Sequence, residues 1–314
     1  MTLLLAITGW DPAPWLDRFR RLLPERGIVR LEDDFDPAEV VYAAAWKQPP
    51  GSLAALPGLK VIFSLGAGID HLARDPELPD RPIVRVVDPD LTARMSDYVV
   101  LHCLAHLRGT RYYEAQQRAR NWDDARDEPA ASDVRVGIMG LGVLGADAAR
   151  KLAIMGFQVA GWSRKPKQLD NVSSFGGEAE LGGFLARTDI LVSLLPLTKD
   201  TRRLLDRRIF VGLARDGRIG GPVFINAGRG GTQNEADILA CLDDGTLAAV
   251  TLDVFETEPL PRDSPFWVHP RVTLTPHNAA TSDPDAVAAF VAAQIRRFEA
   301  GEPLRNTVDL SAGY

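Results

Sequence analysis

The sequence predicts an α/β fold built on parallel sheets and divided into two domains. Three observations carry this. Short apolar runs alternate with helical stretches along most of the chain, the pattern of repeated strand–helix–strand units. The middle of the chain holds the sharpest such unit, an apolar run over 134–139, a glycine turn, a helix and a second apolar run over 157–162. A chain of 314 residues is also longer than one ordinary hydrophobic core requires.

Taken in order, residues 3–8 form a first strand, 15–23 place apolar side chains at helical spacing, and 27–31 make a second short strand. Residues 36–39 open a short helix ahead of the apolar run 40–46, and Pro49, Pro50 and Gly51 mark a turn. Residues 60–65 read as a strand. The loop Gly66-Ala67-Gly68 then runs into Ile69-Asp70-His71-Leu72, and 83–87 is a further strand. Residues 95–107 are apolar and helical. They continue through a polar stretch to Trp122, which predicts one long helix bridging the domains, with 121–132 exposed beyond it.

In the central unit, Gly140, Gly142 and Gly145 give G-x-G-x-x-G between a strand and a helix that runs from Ala146 to about Met155. The first glycine allows the turn, the second lets backbone amides approach a pyrophosphate, and the third lets helix and strand pack closely. An NAD site usually carries an acidic residue after the second strand, to bond the ribose 2′-OH. Here the chain reads Trp162-Ser163-Arg164-Lys165, with no acid and two cations that suit a 2′-phosphate. Beyond it come a helix over 181–187, a strand over 189–194, a helix over 201–211, a strand over 222–226, a helix over 235–243, strands over 248–254 and 272–274, and a final helix over 285–300. The tail 304–314 is too short for a domain and returns to the first one.

Three polar residues follow three successive strands of this second half. Arg229 lies in Asn226-Ala227-Gly228-Arg229-Gly230, Glu258 comes after Asp253-Val254-Phe255-Glu256-Thr257, and His277 stands in Leu274-Thr275-Pro276-His277-Asn278. An open α/β sheet binds ligands beyond the carboxyl ends of its strands. An anion-binder, an acid and a base there make a complete reaction site. The net charge of −6 disfavours general nucleic-acid binding and gives no reason to expect a membrane surface. No apolar run is long enough to span a bilayer, and the N-terminus lacks the basic region of a signal peptide, so a cytoplasmic protein is expected. Cys103 and Cys241 have neither metal nor redox spacing; they read as buried inert thiols, and no metal site is expected. His102, His106 and His269 sit in no motif and read as structural.

The pieces SLGAGIDHL, GLGVLG, WSR, LLPLT, INAGRGG, LDVFETEPL, SPFW and TPHNAA together resemble the D-isomer-specific 2-hydroxyacid dehydrogenase family over nearly the whole chain. Within it the chain is most similar to the branch that reduces glyoxylate and hydroxypyruvate. The resemblance implies a Rossmann-type dinucleotide-binding domain, about 102–282, inserted into a flavodoxin-like substrate domain, 1–101 and 283–314, working as a homodimer. It implies reduction of small 2-keto acids to D-2-hydroxy acids with NADPH, NADH being less favoured. Arg229 would hold the carboxylate and carbonyl of the keto acid, since a planar fork suits both oxygens. His277 would donate the proton, and Glu258 would orient its ring and favour its protonated form. Asp253 would face the nicotinamide amide. Val143, Leu144, Leu195, Pro196, Thr201, Ala227 and His277 complete the implied cofactor set, with Gly140, Gly142, Gly145, Ser163, Arg164 and Lys165. The Ala67–Gly68 backbone resembles a carboxylate-binding loop, and Trp46 stands where a tryptophan can wall the substrate pocket. Trp122 and Trp267 read as core or dimer packing. Two alternatives stay open at this point: a reductase of larger 2-keto acids such as phenylpyruvate, and a non-catalytic dinucleotide-sensing interaction protein on the same fold.

Overall fold

Strands buried on both faces need continuous apolar sequence, and the central strands of this chain have it. The computed structural model describes residues 1–310, and they fall into two compact units, Met1–Leu91 with the chain from Ser282 onward, and Thr92–Thr281.

The first unit is built from β1 (Thr2–Ile7), α1 (Ala13–Leu22), β2 (Gly27–Arg30), β3 (Val40–Trp46), β4 (Val61–Ser64), α2 (Asp70–Ala73) and β5 (Ile83–Val84). Its parallel sheet has the order β2-β1-β3-β4-β5. Strand alternation divides the core: Leu3, Leu5, Tyr42, Ala44, Val61 and Phe63 face one side, and Leu4, Ala6, Ala43, Ala45 and Ile62 the other. The final helix (Pro284–Glu299) buries Val287, Ala288, Val291, Ala292 and Ile295 in the first of these layers. The described part of the tail stays with this unit, since the Val308 amide donates to Ile83 O at 2.9 Å. That pairing also shows why β5 stops at Val84 instead of running to residue 87. The next amide, that of Arg85, donates to Asn306 O at 3.1 Å rather than continuing along β4.

The chain enters the second unit through α3 (Pro89–Leu107), followed by α4 (Thr110–Ala119), β6 (Arg135–Met139), α5 (Val143–Ile154), β7 (Gln158–Ser163), β8 (Ser173–Gly176), α6 (Leu181–Ala186) and β9 (Ile190–Ser193). Then come α7 (Arg207–Val211), β10 (Val223–Asn226), α8 (Glu235–Asp243), β11 (Ala249–Leu252) and β12 (Val272–Leu274); the final helix named above is α9. The seven strands are parallel in the order β12-β11-β10-β9-β6-β7-β8, so the strand order reverses between β6 and β9. Val136, Ile138, Val159, Ile190, Val192, Val223 and Ile225 pack under α3 and α5. Met139, Ala160, Leu191, Phe224, Val250 and Leu252 pack on the opposite layer, where α6, α7 and α8 cover them.

The division at Leu91–Thr92 lies within the first turn of α3, upstream of the 101/102 boundary expected from the sequence. The single long helix to Trp122 does not form. α3 ends at Leu107, and Gly109 turns left-handed with φ +59. That conformation favours glycine over a residue with a side chain. α4 closes on Arg120, also left-handed, and Trp122 is 91% exposed, which removes the core reading of that side chain. Trp267 is half-exposed. The helix expected over 201–211 is confined to α7, because Arg203 has φ +52 and Asp206 caps the helix after it by accepting from Arg208 N and Ile209 N. β8 had no counterpart in the sequence reading. It is a polar edge strand, and edge strands carry little apolar signal. Both cysteines are buried and unpaired, and burial pushes both thiols up from their ordinary value.

Candidate active site

The glycine turn sits at the reversal of strand order. Gly140 takes φ +101, and a Cβ there would come 2.9 Å from Leu194 O, so the turn presses against the exit of β9. A Cβ at Gly145 would collide with Gly140 O, which is why strand and helix can pack so closely here. Gly142 differs: a Cβ there would meet nothing within 4 Å. It is the N-cap of α5 and offers no side chain to the helix, so the first turn has no side-chain cap. The helix begins at Val143, three residues before the expected Ala146, because Val143, Leu144 and Gly145 themselves form its first turn.

Around this turn, Ser163 ends β7 and its hydroxyl donates to Lys165 O at 2.6 Å, curling the loop that carries the exposed Arg164 and Lys165. Trp162 Nε1–H donates to Gly177 O at 2.8 Å and fixes the strand end. Leu195 is buried, and a Cβ at Gly228 would come 2.7 Å from its carbonyl oxygen. The Thr201 hydroxyl donates to Pro196 O at 2.6 Å and accepts from Thr198 N at 2.8 Å, so it shapes the loop after β9. The amide of buried Ala227 donates to Ser193 O at 3.2 Å.

Beyond β10, β11 and β12 the three polar residues converge. Asn226 is fully buried at the end of β10. Its Oδ1 accepts from Gly228 N at 3.0 Å and its Nδ2 donates to Gln233 Oε1 at 2.8 Å, which fixes the turn holding Arg229. Arg229 is partly buried, and its Nη1 donates to Gly228 O at 2.8 Å. His277 adopts φ +53, unusual for a residue with a side chain, and its amide donates to Asp253 O at 2.8 Å. Its Nδ1 lies 2.7 Å from Glu258 Oε2, while Glu258 Oε1 accepts from Phe255 N at 3.0 Å. Partial burial opposes ionisation of Glu258. The His277 hydrogen bond, the Phe255 amide and the charges of His277 and Arg229 outweigh it and hold the carboxyl below its ordinary value. An ionised carboxylate only accepts, so Nδ1 carries the hydrogen and Nε2 is left for proton exchange. The His277 side chain is 48% exposed, open enough to meet a small substrate.

Asp253 is 1% exposed. Its carboxylate accepts from the Thr275 hydroxyl at 2.6 Å, from Asn278 N at 2.9 Å and from Ala279 N at 3.1 Å, so it clamps both sides of His277. Tyr98 OH lies 2.8 Å from Thr275 Oγ1 and, with the Thr275 proton already given to Asp253, must be the donor. This support was not read from the sequence; its only signal there is a hydroxyl residue two places before the histidine. His106, on α3, bonds Thr251 Oγ1 at 2.9 Å, and burial lowers its pKa to about 4.

In the first unit, Ser64 ties down the loop after β4, its hydroxyl lying 3.0 Å from both Gly66 O and Gly68 O. Trp46 ends β3 and stacks on Trp10 at 4.1 Å, and a Cβ at Gly66 would come 2.5 Å from its ring. His71 Nε2 lies 3.2 Å from Ala45 O. Trp46, Ala67 and Gly68 thus share the carboxyl edge of one sheet, while Arg229, Glu258 and His277 share that of the other. No group of three or more metal-ligating side chains occurs among the described residues.

The model of the D-isomer specific 2-hydroxyacid dehydrogenase NAD-binding domain matches residues 100–279. A glyoxylate/hydroxypyruvate reductase A from Yersinia enterocolitica is 41% identical over 313 residues, covering 97% of each chain. Among solved structures, an NADPH-dependent glyoxylate/hydroxypyruvate reductase from Sinorhizobium meliloti, in complex with NADP and sulfate, superposes with a TM-score of 0.94 at 49% identity, covering 100% of this chain and 99% of that one. A probable 2-hydroxyacid dehydrogenase from Rhizobium etli, bound to NADP, HEPES and L(+)-tartaric acid, has a TM-score of 0.94 at 47% identity, with the same coverage.

Proposed function

The chain belongs to the D-isomer specific 2-hydroxyacid dehydrogenase family, and from that premise we propose that it reduces small 2-keto acids, glyoxylate and hydroxypyruvate first, with NADPH. The observation that carries the reading is the His277–Glu258 pair at 2.7 Å, beside Arg229. A keto group becomes an alcohol by gaining a hydride on carbon and a proton on oxygen. When bound, the nicotinamide supplies the hydride. His277 supplies the proton from Nε2, and Glu258 holds the ring by Nδ1 so that Nε2 faces the reacting oxygen. Arg229 takes the carboxylate and keto oxygens through its fork and draws electron density from the carbonyl. In the first unit, the Ala67–Gly68 backbone and Trp46 are the substrate-facing groups of this reading.

The glycine turn fits a dinucleotide, because the space a Cβ would fill at Gly142 is open and the first amides of α5 lack a side-chain cap. Gly140, Gly142, Val143, Leu144 and Gly145 would hold its pyrophosphate, and Leu195, Pro196, Thr201, Ala227 and Asp253 would line or support the nicotinamide side. Ser163, Arg164 and Lys165 would receive a 2′-phosphate, which favours NADPH over NADH. The test is nicotinamide absorbance with NADPH and NADH against a panel running from glyoxylate to phenylpyruvate. Turnover of glyoxylate and hydroxypyruvate with NADPH is expected. Turnover confined to phenylpyruvate, or none, overturns it.

We further infer a homodimer in the cytoplasm. An apolar hollow of about 370 Å³ on the second unit is lined by Val100, Leu101, Leu104, Ile154 and Met155, which supports a covered face. Two unpaired buried thiols suit a reducing compartment.

A further inference from the structure

Gln233 stands between the Arg229 turn and α8, and it is fully buried. A primary amide taken out of water is stable only if both its ends find partners. Here they do, and the partners lie on two different loops. Gln233 Oε1 accepts from Asn226 Nδ2 at 2.8 Å, and Gln233 Nε2 donates to Val254 O at 3.0 Å. Asn226 holds the first loop, since its Oδ1 accepts from Gly228 N at 3.0 Å just ahead of Arg229. Val254 opens the second loop. The next amide, that of Phe255, donates to Glu258 Oε1 at 3.0 Å, and Glu258 Oε2 lies 2.7 Å from His277 Nδ1. The two loops also touch directly, because a Cβ at Gly230 would collide with the Phe255 backbone. One buried amide therefore bridges the turn that carries the anion-binder and the loop that carries the partner of the proton donor.

We propose that Gln233 is a positioning residue for ketone reduction, one that sets the Arg229 guanidinium and the Glu258–His277 pair at a fixed separation. This role rests on the 2-keto acid reductase reading and deepens it. Arg229 holds the keto oxygen, and His277 must deliver its proton to that same oxygen. Small misplacements between two such groups cost rate steeply. Apolar packing lets neighbouring loops slide, whereas directional bonds at both ends of a planar amide resist it. The site also calls for a neutral side chain. Gln233 Nε2 lies 3.5 Å from Glu235 Oε1, which accepts from Glu256 N at 2.7 Å, and Glu256 Oε1 lies 3.4 Å from Arg203 Nη2.

The test compares the wild type with Gln233→Met and Gln233→Glu. Methionine keeps the length and loses both bonds. Rates with glyoxylate and NADPH are measured over about pH 5–9, with inhibition by oxamate, an unreactive anion of similar shape, as the readout of the Arg229 end. Gln233→Met should lower kcat/KM roughly ten- to a hundredfold and weaken oxamate inhibition, with NADPH affinity unchanged. Its alkaline limb of kcat/KM should move to lower pH, because a displaced Glu258 no longer favours the imidazolium. Gln233→Glu decides the matter if the methionine variant does not fold. Protonated, its carboxyl offers Val254 O a donor and Asn226 an acceptor, as the amide does. Burial and the Glu235 and Glu256 carboxylates favour that neutral form, and Arg203 opposes them. Its rate relative to the wild type should therefore recover as pH falls and decline as pH rises. A methionine variant with a lower melting temperature but an unmoved alkaline limb and unchanged oxamate inhibition would make Gln233 an ordinary core amide and overturn the proposal. So would a glutamate variant whose rate relative to the wild type does not change with pH. A wild type that does not turn over glyoxylate would instead remove the reductase reading itself, and this role with it.

Discussion

His277 stands in a left-handed backbone conformation, held by the Asp253 carbonyl from behind and by Glu258 through its ring. That effort serves one nitrogen. His277→Ala should lower kcat by about 10²–10⁴-fold, the usual contribution of a general acid, with little change in NADPH affinity. Steady-state rates with glyoxylate and a cofactor titration check it, and a near-normal kcat would remove the role. Glu258 gives a second outcome at this scale. Its folded pKa lies below the ordinary value, so the unfolded chain binds the proton first as pH falls. Its contribution to stability is present above the ordinary glutamate range, about 4.3, and is lost as pH drops through the lower folded value. Urea midpoints of the wild type and Glu258→Gln should therefore differ most near neutral pH and converge in acid. Arg229, Glu258 and His277 were legible in the sequence because each follows a readable strand by a short loop. The Tyr98–Thr275–Asp253 clamp was not, because it depends on side chains meeting across the chain rather than on spacing along it.

At the scale of the element, two glycines of one motif do different work. A Cβ at Gly145 meets the Gly140 backbone carbonyl, which has no rotamer to yield. A Cβ at Gly142 meets nothing within 4 Å, and its φ of −68 suits any residue. Gly145→Ala should lower the melting temperature, although alanine in a helix otherwise gains about 1 kcal/mol over glycine. Gly142→Ala should leave the melting temperature nearly alone and weaken NADPH binding, by filling space the cofactor would occupy. Thermal melts with and without NADPH separate the two, and matching effects from both variants would refute the distinction. Such differences explain which elements the sequence revealed. The interior strands β6, β9 and β10 are continuous apolar runs, and α8 and β12 have the bounds expected of them. The polar edge strand β8 has no such run. The break between α3 and α4 rests on the left-handed backbone of Gly109, and its local mark in the sequence is that one glycine.

At the scale of the molecule, what remains unexplained by folding alone is apolar surface. Leu101 is 61% exposed, Ile154 82% and Met155 45%, on the outer faces of α3 and α5 of the second unit. They line one hollow together with Val100 and Leu104, and Asp97 and Lys151 stand at it as charges of opposite sign. A contiguous apolar surface with a charged margin is suited to burial against another surface. Two-fold assembly is the simplest closed arrangement, and it brings the same patch of each copy together. Any substitution then enters the interface twice. Ile154→Glu would place a carboxylate into that interface from each copy, a cost that a surface change on a monomer does not carry. Light scattering at micromolar concentration should give twice the mass of the chain for the wild type, and a falling mass on dilution for Ile154→Glu. The fold of the variant should persist, because Ile154 lies outside the core of its own unit. A wild type that scatters as a monomer at that concentration would leave these side chains as ordinary exposed residues and remove the dimer from the reading, while the chemistry assigned to His277 would stand unchanged.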